Sequence, residues 1–342
     1  MRIYFNHWFS QAYNLINAIK AEDPSVYIIG TNERDTAVYQ FVCDEFYVEP
    51  HFDNEDEYAM WCLNFCKEHN IDVFAPRRNR VAIAKHYNEY IDTGIKLMVD
   101  NNSELMALLE DKVKTAQLFK KHNICKVPEL LVATNIDEFK KHYAYLKEKY
   151  PKERVCFKYV EDEGATSFRV IDDIADDIKV LKTGAGMKMS YDKAVEILGS
   201  VDSFDPLILM IYLKGPEISV DSLMTNKGFI GCSRTKIGTR GTVIDPHSEL
   251  VDISKHFAEV TGIKCPYNVQ FRWHDGELYL LEVNTRMAGG TYKSCQAGIN
   301  FAYLALCDVL GKDFELPTNT KKVIVSEIET PVLLKEFREE DN

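Results

Sequence analysis

The feature that most constrains the fold lies in the first hundred residues, where short apolar runs alternate with amphipathic ones. RIYFN, VYIIG, DEFYVEP, DVFAP and KLMVD have the length and the β-branched or aromatic content of strands. Between them, QAYNLINAIKA and NEDEYAMWCLNFCKEH read as helices. In the second, Tyr58, Trp61, Cys62, Phe65 and Cys66 recur at helical spacing. Strands that alternate with helices predict a parallel, doubly wound sheet. Sheets of that kind bind ligands at the carboxyl ends of their strands. Two segments fall there. One runs from Asn6 through His7, Trp8 and Phe9 to Ser10. The other is Arg77-Arg78-Asn79-Arg80. The arginine cluster is either a solvated loop or an anion clamp, a task Arg suits through bidentate hydrogen bonding. His7, Arg77 and Arg78 are accordingly candidate contacts for an anionic substrate. There is no GxGxxG, so a nicotinamide dinucleotide has no fingerprint to bind.

The second half changes character. Residues 101–127 read as helical, closing near Asn123 and Pro128. Residues 128–206 read as a small α+β unit: strand, helix (IDEFKKHYAYLKEKY), strand (RVCFKYV), turn (EDEGATS) and strand (FRVI). An acidic, glycine-containing stretch follows and is expected to be mobile. Ser190 is placed to cap a short helix, YDKAVEILG. From 207 onward the runs LILMIYL, EISVDSLMT, GFIGCSRTKI, YNVQFRW and ELYLLEVN predict an antiparallel unit, with helices near 252–262 and 291–310. The acidic end, KEFREEDN, is expected to fray.

Composition narrows the class of protein. The 342 residues are 46% hydrophobic and 27% charged, with a formal net charge of −12. That balance disfavours a nucleic-acid or anionic-membrane surface, while a local Lys/Arg cluster can still hold a small anion. No apolar run approaches the ~18–20 residues of a membrane span, and the N-terminus lacks the pattern of a signal peptide. Nine cysteines form no CxxC pair, and Cys62 and Cys66, one helical turn apart, read as core. The expectation is a reduced, cytoplasmic protein with no membrane or nucleic-acid partner.

One run, LYLLEVNTRMAGG at 278–290, sets Glu282, Asn284 and Arg286 at alternate positions of an apolar strand. It forms a hairpin with YNVQFRW. A three-residue loop, His274-Asp275-Gly276, would put Gln270 on the face of Glu282 and Asn284. A two-residue Asp275-Gly276 turn would send Gln270 to the opposite side, because one register step flips every side chain. In the first register three oxygen donors, one of them anionic, share a rigid face and suit Mg²⁺, which takes further ligands from phosphates. Lys158, on a strand just before the turn containing Gly164, Ala165 and Ser167, could hold phosphate together with that turn's N–H groups and hydroxyls. Lys112, after Asp111, could add a second charge. Arg234, Lys236 and Arg240 project from CSRTKIGTRGT.

The order of these elements resembles the ATP-grasp superfamily, and within it the carbamoyl phosphate synthase large-subunit group. NVQF at 268–271 with LEVNTR at 281–286 is the most specific piece, and the likeness covers about residues 105–312. The start, YFNHWFSQAYN, and the acidic 172–205 insertion resemble a subgroup associated with tellurium-resistance gene clusters. The resemblance implies a pre-ATP-grasp Rossmann-like domain at 1–104, a small ATP-grasp subdomain with a mobile lid at 105–206, and a large subdomain at 207–342. It implies metal ligands at Gln270, Glu282 and Asn284, and phosphate-binding residues at Lys112 and Lys158. The adenine hinge falls at Met210, Ile211, Tyr212 and Leu213, with Glu217 near the ribose or adenine. Arg286 would contact the transferred phosphoryl group, and Arg240 and Arg234 would lie beside the substrate. The implied activity is an ATP- and Mg²⁺-dependent (or Mn²⁺-dependent) carboxylate–amine ligase working through an acyl phosphate on small molecules, in a chain that forms a homodimer as its relatives commonly do. Ile211 stands where the family often has Glu, Thr285 where it usually has Pro, and FNHWFS replaces its Gly-rich first turn. Two alternatives accompany this reading: a carboxyphosphate or carbamate former using bicarbonate, and a non-catalytic nucleotide-binding regulator.

Overall fold

The alternation at the start of the chain becomes a five-stranded parallel sheet. Its strands are β1 (Arg2–Asn6), β2 (Tyr27–Asn32), β3 (Glu45–Val48), β4 (Val73–Pro76) and β5 (Lys96–Leu97), in the order β3-β2-β1-β4-β5. This is a computed structural model, and it describes residues 1–161, 166–172, 186–238 and 240–333. The expectations for Gly164 and Ala165, for most of the acidic stretch and for the tail lie outside those residues.

β1 shows why the sheet is doubly wound. Ile3 and Phe5 point to one face and Tyr4 to the other, and all three are fully buried. The first face packs against α1 (Ala12–Glu22) through Ala12, Leu15, Ile16 and Ile19. The second packs against α2 (Glu55–Glu68), whose Tyr58, Ala59, Cys62 and Cys66 form the expected stripe. Each buried Leu, Ile or Phe among them contributes about 1.5–3 kcal/mol, and each alanine less. The Asn54 side chain accepts from the N–H groups of Asp56 and Glu57 and so starts α2. α3 (Arg80–Lys85), α4 (Tyr87–Asp92) and α5 (Ser103–Glu110) complete this stretch.

The chain divides into two units. One comprises Met1–Leu109, Pro216–Gln270 and the residues from Val283 onward; the other comprises Glu110–Gly215 and Phe271–Glu282. The second opens with α6 (Lys112–Lys121). Asp111 caps that helix by accepting from Val113 N–H and Lys114 N–H at 2.9 and 3.0 Å. The expected single helix over 101–127 is therefore two, because capping at Asp111 needs an extended residue. After Asn123, in a left-handed conformation, come β6 (Leu131–Ala133), α7 (Ile136–Lys149), β7 (Val155–Tyr159), β8 (Arg169–Ile171), β9 (Lys188–Met189), α8 (Tyr191–Leu198) and β10 (Leu207–Ile211). The Ser190 side chain accepts from Lys193 N–H, as the sequence predicts. The strands form one sheet in the order β6-β10-β7-β8-β9.

The remaining strands are β11 (Glu217–Thr225), β12 (Gly228–Ile237), β13 (Gly241–Asp245), β14 (Tyr267–His274), β15 (Glu277–Asn284) and β16 (Val323–Val325), in the order β15-β14-β11-β12-β13-β16. α9 (Glu249–Thr261) ends at Gly262, in the left-handed region. The helix expected over 291–310 is interrupted. A 3₁₀ segment, Thr291–Ala297, stops at left-handed Gly298, and α10 (Phe301–Leu310) follows. α10 packs with α1, through Phe301, Ala302, Ala305 and Leu306, in the core beneath the parallel sheet.

Candidate active site

β14 and β15 meet in a two-residue turn. Asp275 and Gly276 both have positive φ, 49° and 79°, the geometry of a type I′ hairpin. The three-residue loop expected from the sequence is not formed, because Asp-Gly satisfies the tighter turn. With unbroken pairing this turn sets Gln270 beside Leu281 rather than Glu282. Glu282 and Asn284 need no cross-strand register, since they stand two apart on β15 and share a face. Gln270, Glu282 and Asn284 are all partly exposed, whereas Val269, Phe271 and Val283 are buried. Accessible oxygen donors with one carboxylate fit a hard divalent cation whose other ligands are phosphate oxygens.

Within the second unit, Lys158 on β7 brings its Nζ to 3.5 Å from Glu282 Oε2, with the two side chains 17% and 26% exposed. Lys112, at the first turn of α6, is nearly buried and donates from Nζ to the Val160 carbonyl at 2.7 Å. Ser167 Oγ accepts from Tyr159 N–H at 2.9 Å, which ties Ser167 to β7. Lys158, Lys112 and Ser167 are thus attached to one strand and its continuation.

β10 ends at Ile211, paired with Val155. Tyr212 N–H donates to the Arg154 carbonyl at 2.7 Å. Arg154 and Arg272 lie 4.7 and 5.8 Å from the Tyr212 ring, and Arg272 Nη1 donates to the Leu213 carbonyl at 3.1 Å. Cations at these distances are attracted to the ring quadrupole and hold Tyr212 in one orientation. Gly215 closes the segment. Its N–H donates to Trp273 O at 2.9 Å, and a Cβ there would lie 2.2 Å from that same oxygen. In the first unit, Glu217 at the start of β11 accepts from Lys236 Nζ at 2.9 Å.

The first unit gathers a second group of residues at the carboxyl ends of β1 and β4. Arg77 and Arg286 lie 5.0 and 5.7 Å from the Phe9 ring. A Cβ on Gly289 would touch that ring at 3.4 Å. Arg77 N–H donates to Asn6 Oδ1 at 2.7 Å. Arg80 is not a solvated residue: it is buried, and its Nη1 donates to the Arg77 carbonyl at 2.7 Å. Arg78 pairs with Glu33 and lies 3.6 Å from Glu49. This guanidinium, with His51, holds the Glu33 carboxyl below its usual range against the opposing effect of burial. His7 contacts Glu49 at 2.7 Å.

Arg234 is nearly buried and forms a bidentate pair with Asp221, 2.5 Å from Nε and 3.0 Å from Nη2. Asp221 Oδ1 also accepts from Asn268 Nδ2 and Thr291 Oγ1, each at 2.9 Å. Burial opposes the charge on Arg234, but the Asp221 carboxylate raises its pKa further. Arg240 is exposed, 3.4 Å from Glu329.

Sequence reasoning missed Asp221 and Glu49. Asp221 is a lone acid in the strand EISVDSLMT, and Glu49 closes the strand DEFYVEP. An acid inside or ending an apolar strand was the available signal. Phe9 was placed at this end of the sheet with its segment, but its contacts to Arg77 and Arg286 were not foreseen.

The strand orders are those of the ATP-grasp fold. Residues 203–331 match the family described as ATP-grasp in the biosynthetic pathway with Ter operon. The chain is 28% identical over 149 residues to the carbamoyl phosphate synthase large chain of Clostridium beijerinckii, which is 37% of this chain and 14% of that protein. It is 26% identical over 150 residues to the same protein of Clostridium perfringens (strain 13), again 14% of its length. The matched region is thus a small part of those relatives. Among solved structures, N5-carboxyaminoimidazole synthetase from Staphylococcus aureus complexed with ADP superposes with a TM-score of 0.67 at 13% identity, covering 96% of this chain and 82% of that one. The biotin carboxylase domain of Hydrogenobacter thermophilus 2-oxoglutarate carboxylase, with MgADP and bicarbonate, gives a TM-score of 0.65 at 15% identity, covering 94% and 73%. These likenesses establish the fold. No helix among the described residues is long and apolar enough to cross a membrane.

Proposed function

We propose that the protein is an ATP-grasp ligase that forms a carbon–nitrogen bond from a carboxylate and an amine at the expense of ATP. The observation that carries this reading is Lys158 Nζ standing 3.5 Å from Glu282. A phosphate-binding cation beside a metal-binding carboxylate is what a magnesium–nucleotide complex requires. On this reading the small substrates are an acid and an amine, and the protein is a cytoplasmic homodimer with the three-part division at 104 and 206.

The chain's own residues have distinct tasks in the proposal. Lys158 and Lys112 bind the nucleotide phosphates, with the turn of Gly164, Ala165 and Ser167. Ile211, Tyr212 and Leu213 present backbone groups to the adenine, and Glu217 meets the nucleoside. Glu282 and Asn284, which share a face of β15, would hold Mg²⁺, or Mn²⁺ in its place, and the ion would supply charge neutralisation; Gln270, expected as a third ligand, falls on the other face in the two-residue register. Arg286 meets the γ-phosphoryl group as it moves to the substrate carboxylate, giving an acyl phosphate that the amine then opens. Arg77 and Arg78 draw the anionic substrate to the carboxyl end of the parallel sheet, Arg234 braces that wall and Arg240 reaches the substrate. Positioning and charge do most of the work in such transfers. The test is ADP release from Mg-ATP against a set of amino acids and amines. Tight Mg-ATP binding with no ADP release for any acid–amine pair would reject the ligase in favour of a regulatory nucleotide binder.

A second reading has its own support. A solved neighbour holds bicarbonate with MgADP, so bicarbonate could be the carboxylate and carboxyphosphate the intermediate. ADP release that depends on bicarbonate and not on an organic acid would select it.

A further inference from the structure

His7 is built into its position by more than its own contacts. It follows β1 directly and adopts a left-handed backbone, φ 43°, which a non-glycine residue holds only when its surroundings enforce it. Its N–H donates to the Thr31 carbonyl at 2.7 Å. Its Nδ1 lies 2.7 Å from Glu49 Oε1, and the Glu49 side chain is fully buried while the imidazole is 30% exposed. Glu49 Oε2 accepts from Thr31 Oγ1 at 2.7 Å and from the Tyr58 hydroxyl at 3.0 Å. Thr31 Oγ1 is in turn 2.7 Å from the Tyr4 hydroxyl, and Asn6 Nδ2 donates to the Tyr58 hydroxyl at 3.0 Å.

With Glu49 the nearer partner of Nδ1, at 2.7 Å against 3.3 Å for Arg78, the neutral imidazole that donates from Nδ1 carries its lone pair on Nε2. One buried carboxylate, itself held by Thr31 and Tyr58, thus orients one partly exposed ring. The charged groups facing it are Glu49, Arg78 and Glu33, with Arg78 Nη1 3.3 Å from Nδ1. His7, Glu33 and Glu49 are close enough to ligate a cation, but the Arg78 guanidinium already stands among them and supplies the positive charge. Phe9, two residues on, carries Arg77 and Arg286, so the ring belongs to the same end of the sheet.

We propose that His7 is the general base of the amine step, oriented by Glu49. This rests on the ligase reading above. The amine arrives as an ammonium ion, and His7 Nε2 takes one proton from it and frees the lone pair. The nitrogen then forms its bond to the acyl carbon as the carbon–oxygen bond to phosphate breaks, and its second surplus proton goes to the departing phosphate. The imidazolium releases the first proton to water, which closes the balance as amide plus inorganic phosphate.

The test uses the full chain with Mg-ATP and a mixture of the twenty amino acids, which supplies both carboxylates and amines. Hydroxylamine, already neutral at pH 7.5, is added in parallel to trap the acyl phosphate without a base. His7→Gln should lower the ratio of amide to hydroxamate by about 100-fold, the lower end of what general-base catalysis contributes. The fall should appear in kcat more than in KM, and the residual amide rate should climb with pH. Glu49→Gln, close in shape, should move the pH profile in the same assay. An unchanged ratio in a folded His7→Gln protein with active wild type overturns the assignment, as does equal loss of both products. A wild-type chain that releases no ADP overturns the ligase reading itself and this role with it. One zinc ion bound per ligand-free chain and lost in His7→Gln would also overturn it, in favour of a metal centre.

Discussion

The guanidinium of Arg234 occupies the space that a side chain on residue 290 would need: a Cβ at Gly290 falls 2.3 Å from Arg234 Nη1. Arg234 cannot swing away without leaving Asp221 as a buried, unpaired charge. Gly290 is therefore required by the wall behind it. Gly290→Ala should destabilise the protein by about 1–3 kcal/mol, the usual cost of overpacking. Asp221→Ala should cost more, about 3–5 kcal/mol, because it strands a buried cation. Urea unfolding followed by tryptophan fluorescence would measure both, and an unaltered midpoint for Gly290→Ala would count against this packing.

Glu282→Ala should reduce ATP turnover by about 10²-fold or more, the scale of losing one well-placed electrostatic contact, while the far-ultraviolet circular dichroism stays that of the wild type. Full turnover in this variant would exclude Glu282 as a metal ligand. Lys158→Met removes the other member of the pair and should raise the KM for ATP.

Gly215→Ala drives a methyl group into a carbonyl, with the Cβ 2.2 Å from Trp273 O. Backbone cannot rotate aside as a side chain can. The substitution should cost about 1–3 kcal/mol and should break the Gly215 N–H to Trp273 O bond, seen as faster amide exchange at residue 215. Slow exchange there in the variant would contradict it.

At the amino edge of the parallel sheet, hydrogen bonds from the Tyr47 and Tyr27 hydroxyls hold the Glu45 carboxyl down to about 2. A depressed folded pKa gives stability that is complete above the unfolded value and is lost as pH falls through the folded one. The difference in stability between wild type and Glu45→Gln should thus be constant above roughly pH 5, given an ordinary Glu value of ~4.3. It should shrink steadily toward pH 2. Denaturant titrations at a series of pH values would trace it. A difference that grows in acid would reverse the sign and refute the assignment.

Much of this was legible in the residues, and what was hidden has physical reasons. The parallel sheet could be read because both its faces are buried, so its strands are continuous apolar runs broken by amphipathic helices. The cap at Ser190 is local and could be read directly, whereas the one at Asp111, inside a stretch of good helix formers, was passed over. The hairpin loop was misread because Asp-Gly serves two turn types, and only the backbone angles choose between them. The arginine cluster at 77–80 divided three ways, toward Phe9, Glu33 and Arg77's own carbonyl, by contacts 45 to 71 residues distant in sequence or a single turn away. The packing of α10 against α1 joins residues nearly three hundred positions apart. Hydrophobic periodicity marks a buried face but not its partner.

The second unit takes in two separate stretches of chain, and Tyr279 and Leu281 from the later one pack with its core. Seen from the ribosome, a nascent chain that has reached residue 215 has made most of that unit and lacks the strand that finishes it. Its apolar surface waits, during synthesis, for more than fifty further residues. A nascent chain stalled in that interval should engage chaperones, and one stalled shortly after residue 282 has cleared the exit tunnel should not.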